Sequence, residues 1–277
     1  PESVRLLRHA INQFGKYLGR NATLNDFDDL TVSQFLTARA ARLSPNSVAR
    51  ERSGLLALWN LAQARGLVRM RPLVAPELIP DKTPRAFTAD ELARLWISCG
   101  QVRRYVGPVK ASVWFQALLG VLFYSGERIT AILRVGRDRW HRPWLAVPAE
   151  ARKGSRKPAT YQLPDHVADL VDQVANHDQP QLFYWPASHN ALRERWKTIT
   201  RRAGLGDGTD VQFHALRRSF ASHLSAAGGD AREALQHSSE KVTRRYLDPR
   251  ITQAGQPAPW QLLPRIWPGD EQPPAGA

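Results

Sequence analysis

Four short segments in the second half of the sequence combine arginine, histidine, lysine and tyrosine in patterns suited to binding a phosphodiester. The first, YSGERIT, places Arg128 directly after a predicted buried helix. Ser125 is a good helix cap, which predicts that Arg128 lies in the first turn of a following helix. A cation there is favoured when an anion such as phosphate occupies the same place. Taken alone, this segment is better explained by an arginine that turns to solvent or pairs with Glu127.

The second segment, FHALRRSFASHL, has the spacing of an amphipathic helix. Its apolar side is marked by Leu216, Phe220 and Leu224. His214 and Arg217 are three residues apart and therefore share one face. The arginine would neutralise a phosphodiester while the histidine donates or shuttles a proton. A polar helix face in a basic protein is an equally good explanation.

The third segment, HSSEKVTRRY, places Tyr246 nine residues after His237. Ser238 or Ser239 is expected to cap a short helix that presents the tyrosine. Tyrosine is a weak nucleophile at its usual pKa of about 10, and a cationic pocket can activate it. On this segment alone, a tyrosine that packs its ring and hydrogen-bonds its hydroxyl is the better explanation.

The fourth segment, ARKGSRK, lies between two predicted strands and forms a cationic turn. Lys153 could reach a leaving oxygen and protonate it, and Lys157 is a weaker alternative. The alternative explanation is a turn whose charged side chains are solvated, which is more usual for such a loop.

The hydrophobic pattern predicts a mainly α-helical chain with a small antiparallel β-sheet. Predicted helices cover 30–38, 48–64, 112–124, 167–174, 191–203 and 213–226, and strands cover 144–147 and 160–163. Thr31 or Ser33 is expected to cap the helix that begins at Leu30. We divide the chain into a helical domain at 1–80, a proline-rich linker at 81–87, an α+β domain at 88–250 and a tail at 251–277.

Composition restricts the class of protein. The 277 residues carry a formal net charge of +14, which favours a polyanionic partner, with nucleic acid ahead of an anionic membrane surface. Surface charge for solubility alone is the remaining explanation. One cysteine excludes an intramolecular disulfide framework and a cysteine-rich metal site, and it fits a reducing, intracellular home. We expect no membrane span, because the longest apolar stretch is too short. The missing initiator Met indicates a trimmed chain.

Taken together and in order, the four segments resemble the tyrosine recombinase, or phage integrase, family of site-specific DNA recombinases. The family pattern is roughly TGLRISEL, a lysine in a β-hairpin, HxLRHTxATxL, LGHS, and a tyrosine nine residues later. The counterparts here are SGERITAIL, RKGSRK, HALRRSFASHL, LQHSS and the tyrosine of RRYLDP. LTVSQFL and SPNSVARERSGLLALWNLAQARGL resemble the family's core-binding module. The resemblance therefore implies a helical core-binding domain followed by an α+β catalytic domain.

The resemblance also implies roles for individual residues. Tyr246 would attack the scissile phosphate and form a 3′-phosphotyrosyl link, while Arg128 and Arg217 would clamp the non-bridging oxygens. Lys153 would protonate the leaving 5′-oxygen, and His214 would assist proton transfer. No cofactor or metal is implied, since the phosphotyrosine keeps the bond energy, and the sequence has no GxxxxGK[ST] loop.

His237 would hydrogen-bond the phosphate, although the segment around it departs from the family pattern. Gln236 stands where the family usually has glycine, and the stretch from Arg217 to His237 is about three residues short. Two further departures are Ala131, in place of an acidic residue, and Arg218, in place of histidine. None of them removes a catalytic candidate, and they indicate a divergent member.

The implied partner is double-stranded DNA with inverted-repeat sites, bound by a dimer per site and a homo-tetramer overall. The tail at 251–277 is a candidate subunit contact, and an accessory DNA-bending or directionality factor is a further candidate partner. The implied location is the cytoplasm, at the nucleoid. DNA contacts, mostly to phosphates, are predicted for Arg42, Asn46, Arg50, Arg52, Lys82 and Arg85.

Strand exchange through a Holliday junction is therefore the leading hypothesis, and two alternatives stay open. A type IB topoisomerase or telomere resolvase would use the same chemistry, but the small helical first domain favours a recombinase. A non-catalytic DNA-binding accessory or regulatory protein on the same fold would not need the catalytic set, whereas all of its candidate residues are present here.

Overall fold

A computed structural model describes residues 2–69, 73–76, 78–79, 83–152 and 157–254. The chain divides into two compact units, Pro1–Lys82 and Thr83–Ala277. Lys82, Lys153 and the tail from residue 255 onward lie outside the described residues.

The described residues of the first unit form three α-helices: α1 (Glu2–Leu18), α2 (Asp29–Ala40) and α3 (Pro45–Ala64). Its core is aromatic, because the Phe14 ring meets the rings of Phe27 and Phe35 edge-on at 5.6 and 5.2 Å. α1 and α3 pack closely where α3 carries Gly54, since a Cβ there would lie 2.7 Å from that of Ala10. This close packing fixes the two longest helices of the unit against each other.

The caps of this unit explain where its helices begin. Asp28 caps α2 by accepting from the backbone N–H of Thr31 at 2.8 Å, so the prediction of Thr31 or Ser33 as the cap is wrong. A carboxylate is the better cap because it also stabilises the positive helix N-terminus. The start signal before α3 is confirmed, with Ser44 at the N-cap and Pro45 in the first position.

The second unit combines short strands with helices of unequal length. Its strands are β1 (Tyr105–Val106), β2 (Val109–Lys110), β3 (Trp140–His141), β4 (Trp144–Val147) and β5 (Ala159–Gln162). Its helices are α4 (Ala89–Gly100), α5 (Ala111–Ser125), α6 (Ile129–Ile132), α7 (Asp165–Ala175), α8 (His189–Arg202), α9 (Phe213–Ala226), α10 (Ala231–Ala234), α11 (Glu240–Arg244) and α12 (Pro249–Thr252). The predicted mainly helical fold with a small antiparallel sheet is confirmed.

α5 is the central helix of the second unit and packs against α4, α7 and α9. It is apolar nearly all round, as expected for a helix surrounded by protein. Gly120 lets α7 approach, because a Cβ there would lie 2.7 Å from a Val167 methyl group. No helix in the described part of the chain is long and apolar enough to cross a membrane.

The three-stranded sheet has the order β3-β4-β5 and is antiparallel throughout. Leu145 of β4 faces Tyr161 of β5 in this register. The predicted strands are confirmed to within one residue, and the sheet gains β3 as a short edge strand. The connection from β4 to β5 contains the buried Arg152, whose contacts belong to the site described next.

Candidate active site

Segments of the second unit that are distant in sequence bring an arginine, two histidines and a tyrosine together. His214 and Arg217 come from α9, His237 from the connection before α11, and Tyr246 follows α11. The Tyr246 ring centroid lies 5.2 Å from that of His214 and 4.6 Å from that of His237. The guanidinium carbon of Arg217 lies 5.8 Å from the same tyrosine ring.

Arg217 is the fixed point of the cluster, with only 2% of its surface exposed. Its Nη1 donates to the Gly126 carbonyl and its Nη2 to the Leu235 carbonyl, the latter at 3.1 Å. Nη2 also lies 3.3 Å from Nε2 of His237. The buried Nε has no hydrogen-bond partner among the described residues. A buried cation with an unused donor is well suited to receive an anionic oxygen.

Arg128 reaches the cluster by a different local structure from the one predicted. α5 continues through Ser125 and ends at Gly126, which has the left-handed φ of 63°. Arg128 is therefore itself the N-cap residue of α6, and the prediction that Ser125 caps that helix is wrong. The Ser125 hydroxyl donates back to the Val121 carbonyl at 2.5 Å instead.

The Arg128 side chain makes no ion pair or hydrogen bond within the described ranges, and the alternative of a pair with Glu127 is not observed. Arg128 lies two residues after Gly126, whose carbonyl accepts from Arg217. Its charge lowers the pKa values of Arg217, His214 and His237. Neither Arg128 nor Arg217 forms an ion pair with a carboxylate among the described residues, since Glu127 pairs with Arg152.

Both histidines of the cluster are held neutral at pH 7. Partial desolvation, followed by the charges of Arg218, Arg217 and Arg128, lowers the pKa of His214 to about 4. Desolvation, and then the charges of Arg217 and Arg128, lowers the pKa of His237 to about 4. The His237 Nδ1 lies 3.1 Å from the Thr243 hydroxyl, which fixes the ring orientation. Both ring nitrogens of His237 therefore have partners, on Arg217 and on Thr243. The neutral imidazole of His214 makes no hydrogen bond to the described residues and can accept or donate a proton.

A buried network behind the cluster was missed by sequence reasoning. The Glu127 carboxylate pairs with Arg152 Nε at 2.5 Å and accepts from the Tyr161 hydroxyl at 2.7 Å. Arg152 in turn donates through Nη1 to the side-chain oxygen of Gln236 at 2.7 Å. The network therefore ties the neighbour of Arg128 to the neighbour of His237. The one available signal was Gln236, which stands at a position where the resembled family usually has glycine.

Comparison with known proteins decides the family. The sequence model of the phage integrase family matches residues 86–252, more than half of the chain. The chain belongs to the phage integrase family. The tyrosine recombinase XerC of Chromohalobacter salexigens is 26% identical over 262 residues, covering 89% of this chain and 85% of the relative. The tyrosine recombinase XerD of Mycobacterium leprae is 28% identical over 267 residues, covering 86% of this chain and 80% of the relative.

Solved structures share the fold of this phage integrase family member. The XerH site-specific recombinase in a pre-cleavage complex with its difH substrate has a TM-score of 0.69 at 17% identity, covering 88% of this chain and 76% of that one. The lambda integrase (75–356) dimer bound to a COC′ core site has a TM-score of 0.67 at 16% identity, covering 90% and 87%. At these identities the likeness shows the fold alone, that of a tyrosine recombinase.

The residues predicted to contact DNA in this integrase family member differ in the intramolecular contacts that their side chains make. In the first unit Arg42, Asn46 and Arg50 are exposed. The Arg52 guanidinium donates to the carbonyl of Val74, a buried residue of the same unit. In the second unit the Arg85 guanidinium donates to both carboxylate oxygens of Glu91, each at 2.8 Å. The three exposed residues therefore remain the freest candidates for phosphate contact.

No group of three or more His, Cys, Asp or Glu side chains within the ranges that the structure describes is placed to hold a metal ion.

The lowered histidine pKa values predict how stability depends on pH. A histidine with a pKa of about 6.5 when unfolded and about 4 when folded binds protons preferentially in the unfolded state between those values. Stability should therefore fall as the pH drops from about 6.5 to 4. We expect His237→Gln to make this part of the pH profile shallower, as measured by urea unfolding at several pH values. An unchanged profile in His237→Gln and His214→Gln would contradict the assignment.

Substitutions of Gln236 are expected to give a graded series of thermal stabilities. It is the one described non-glycine residue with a positive φ, 52°, a conformation that costs roughly 1–2 kcal/mol. Its hydrogen bond to the buried Arg152 offsets this cost, since a bond to a charged group contributes about 1.5–3 kcal/mol. Gln236→Gly loses the bond and relieves the backbone, whereas Gln236→Ala loses the bond only. We expect thermal unfolding to rank Gln above Gly and Gly above Ala, and a glycine variant more stable than wild type would contradict this.

Proposed function

We propose that this protein is a site-specific DNA recombinase that cleaves and rejoins strands through a 3′-phosphotyrosyl intermediate on Tyr246. The observation that carries the proposal is the convergence of Arg217, His214, His237 and Tyr246 on one place, with Arg128 two residues after the Gly126 carbonyl that accepts from Arg217. Membership of the phage integrase family and the tyrosine recombinase relatives support the same reaction class.

The cleavage step forms one bond and breaks one. The Tyr246 oxygen attacks the scissile phosphorus, its bond to phosphorus forms, and the bond from phosphorus to the 5′-oxygen breaks. The phenolic proton passes to the neutral imidazole of His214, and the 5′-oxygen gains a proton to become a hydroxyl. We assign the proton to Lys153, which lies outside the described residues, with His214 assisting the transfer. Ligation is the reverse step, with a 5′-hydroxyl attacking the phosphotyrosine.

The two arginines would stabilise the charge that develops on the non-bridging oxygens. Arg217 is held rigidly by two backbone carbonyls, so its free Nε need not reorganise when the phosphate reacts. Arg128 supplies a second guanidinium whose charge the described protein residues leave unbalanced. His237 would hydrogen-bond the same phosphate through Nε2, which lies 3.3 Å from Nη2 of Arg217 in this structure. No metal or nucleotide takes part in the proposed reaction.

Strand exchange between two sites would require four copies of the chain, a dimer on each inverted-repeat site and a Holliday junction as intermediate. The first unit would contact the duplex through Arg42, Asn46, Arg50 and Arg52, with Lys82 and Arg85 as further candidates. The tail at 251–277 would contact a neighbouring subunit, and an accessory DNA-bending or directionality factor would set the outcome. We place this activity in the cytoplasm, at the nucleoid.

Covalent trapping tests the proposal. Nicked duplexes made from the DNA that flanks the gene would be incubated with the full chain in the presence of a metal chelator. The products would be separated on a denaturing gel. We expect an adduct whose tryptic peptide carries a 3′-linked nucleotide on Tyr246, identified by mass spectrometry. Binding on a native gel without any adduct would favour the non-catalytic accessory protein. Relaxation of a supercoiled plasmid without strand exchange would favour a topoisomerase.

A further inference from the structure

A second cationic site lies in the same unit, away from the catalytic cluster. A groove of about 710 Å³ is lined by Arg103 and Arg104, which precede β1, and by Arg195 and Arg202 of α8. None of its lining residues is acidic. In the part of the chain that the structure describes, no carboxylate pairs with any of these four guanidinium groups. We name these four residues the arginine groove.

Neighbouring groups add to the positive potential of the arginine groove. α5 begins beside it, since the Ala111 N–H donates to the Arg104 carbonyl at 2.6 Å. Lys110 is exposed at the N-cap of that helix and makes no side-chain cap. A helix of 15 residues carries a partial positive charge at this end. Like charges gathered in one concave surface repel one another unless an anion occupies it.

The length of α5 separates the arginine groove from the catalytic cluster. Its first residue lies beside the groove, whereas Gly126, directly after its last residue, accepts from Arg217 of the cluster. At 1.5 Å per residue, 15 residues span about 22 Å. A phosphate held by Arg217 therefore lies too far away to fill the groove as well.

We propose that the arginine groove binds the phosphate backbone of DNA outside the stretch that is held at the catalytic cluster. One phosphate is satisfied by one or two guanidinium forks, so four guanidinium groups in one groove fit successive phosphates of a chain better than a single free ion. The choice of DNA rests on the proposed function, which makes DNA the polyanion that this protein meets.

The test compares two lengths of duplex in the Tyr246→Phe background, which lacks the proposed nucleophile. Binding of 10-bp and 60-bp duplexes would be followed by fluorescence anisotropy at a series of salt concentrations. A 10-bp duplex is about 34 Å long and extends about 17 Å to each side of the catalytic cluster, so it ends short of the groove. We expect the pair Arg104→Glu and Arg202→Glu to weaken binding of the 60-bp duplex by about 10–100-fold at 0.1 M salt, and to reduce its salt slope by about 2. The 10-bp duplex should bind to the double variant and to its parent with the same affinity.

Arg193→Glu is the matched control, because Arg193 is an exposed arginine on α8 that does not line the groove. It should affect both duplexes to the same extent. The milder pair Arg103→Gln and Arg195→Gln provides an independent variant, and thermal unfolding checks that each variant is folded.

Two results would overturn the proposal. One is an equal effect of the groove variants on the two duplexes, or no effect on either. The other is a loss of stabilisation by inorganic phosphate with unchanged DNA binding, which would make the groove a site for a small anion. The binding experiment measures no cleavage, so a negative result for the groove does not bear on the adduct formed by Tyr246. In the same way, absence of the Tyr246 adduct does not alter the binding curves.

Discussion

Replacing Tyr246 by phenylalanine is expected to lower covalent adduct formation by several orders of magnitude while DNA binding persists. The substitution removes only the hydroxyl oxygen that would attack phosphorus. The ring contacts with His214 and His237 remain, as does the hydrogen bond from the Ser222 hydroxyl to the backbone carbonyl of residue 246. A denaturing gel measures the adduct, and a native gel measures binding.

Tyr105→Phe is the control for this experiment, because Tyr105 is 65% exposed in a two-residue strand that takes no part in the cluster. It should form the adduct at the wild-type rate. An adduct that persists in Tyr246→Phe at a comparable rate would remove Tyr246 as the nucleophile. Mass spectrometry of the linked peptide would then show which residue takes that role.

Local patterns predicted the parts of the candidate site that depend on one element. The apolar repeat predicted both ends of α9. The three-residue spacing of His214 and Arg217 predicted that they share one face of it. The short helix before Tyr246 was also predicted, with Ser239 at its N-cap. These features follow from the chain's periodicity and capping, which are readable within a few residues.

Features that depend on competing or distant partners were not readable from the sequence. Ser125 has the type of a helix cap, but its hydroxyl donates to the preceding turn, and Gly126 ends α5 before a new helix can begin at that serine. The bond from Arg152 to Gln236 joins residues 84 positions apart. Only the folded chain brings these two side chains together, so no local sequence pattern predicts their network.

The buried network of Glu127, Arg152 and Gln236 is expected to make a large contribution to the free energy of unfolding. Glu127 and Arg152 form an ion pair with only 2% and 5% of their residue surfaces exposed. Glu127→Gln leaves the Arg152 charge buried without a counter-charge, which typically costs about 3–5 kcal/mol. We expect this loss in the free energy of unfolding, as measured by urea unfolding with circular dichroism.

Two comparisons separate this effect from an ordinary charge change. Glu240→Gln removes the carboxylate of a surface pair with Arg244, whose side chains are 70% and 74% exposed, and should cost at most about 1 kcal/mol. The double variant Glu127→Gln with Arg152→Met removes both buried charges and should recover part of the loss. A Glu127→Gln variant no less stable than Glu240→Gln would contradict the buried pair.

Activity then shows whether the network also positions the catalytic cluster. Glu127 directly precedes Arg128, and Gln236 directly precedes His237, so loosening the network should displace both neighbours. We expect Glu127→Gln, assayed well below its unfolding temperature, to form the Tyr246 adduct more slowly and to recover little with added DNA. A folded variant with the wild-type rate would mean that the network stabilises the unit without positioning its reactive groups.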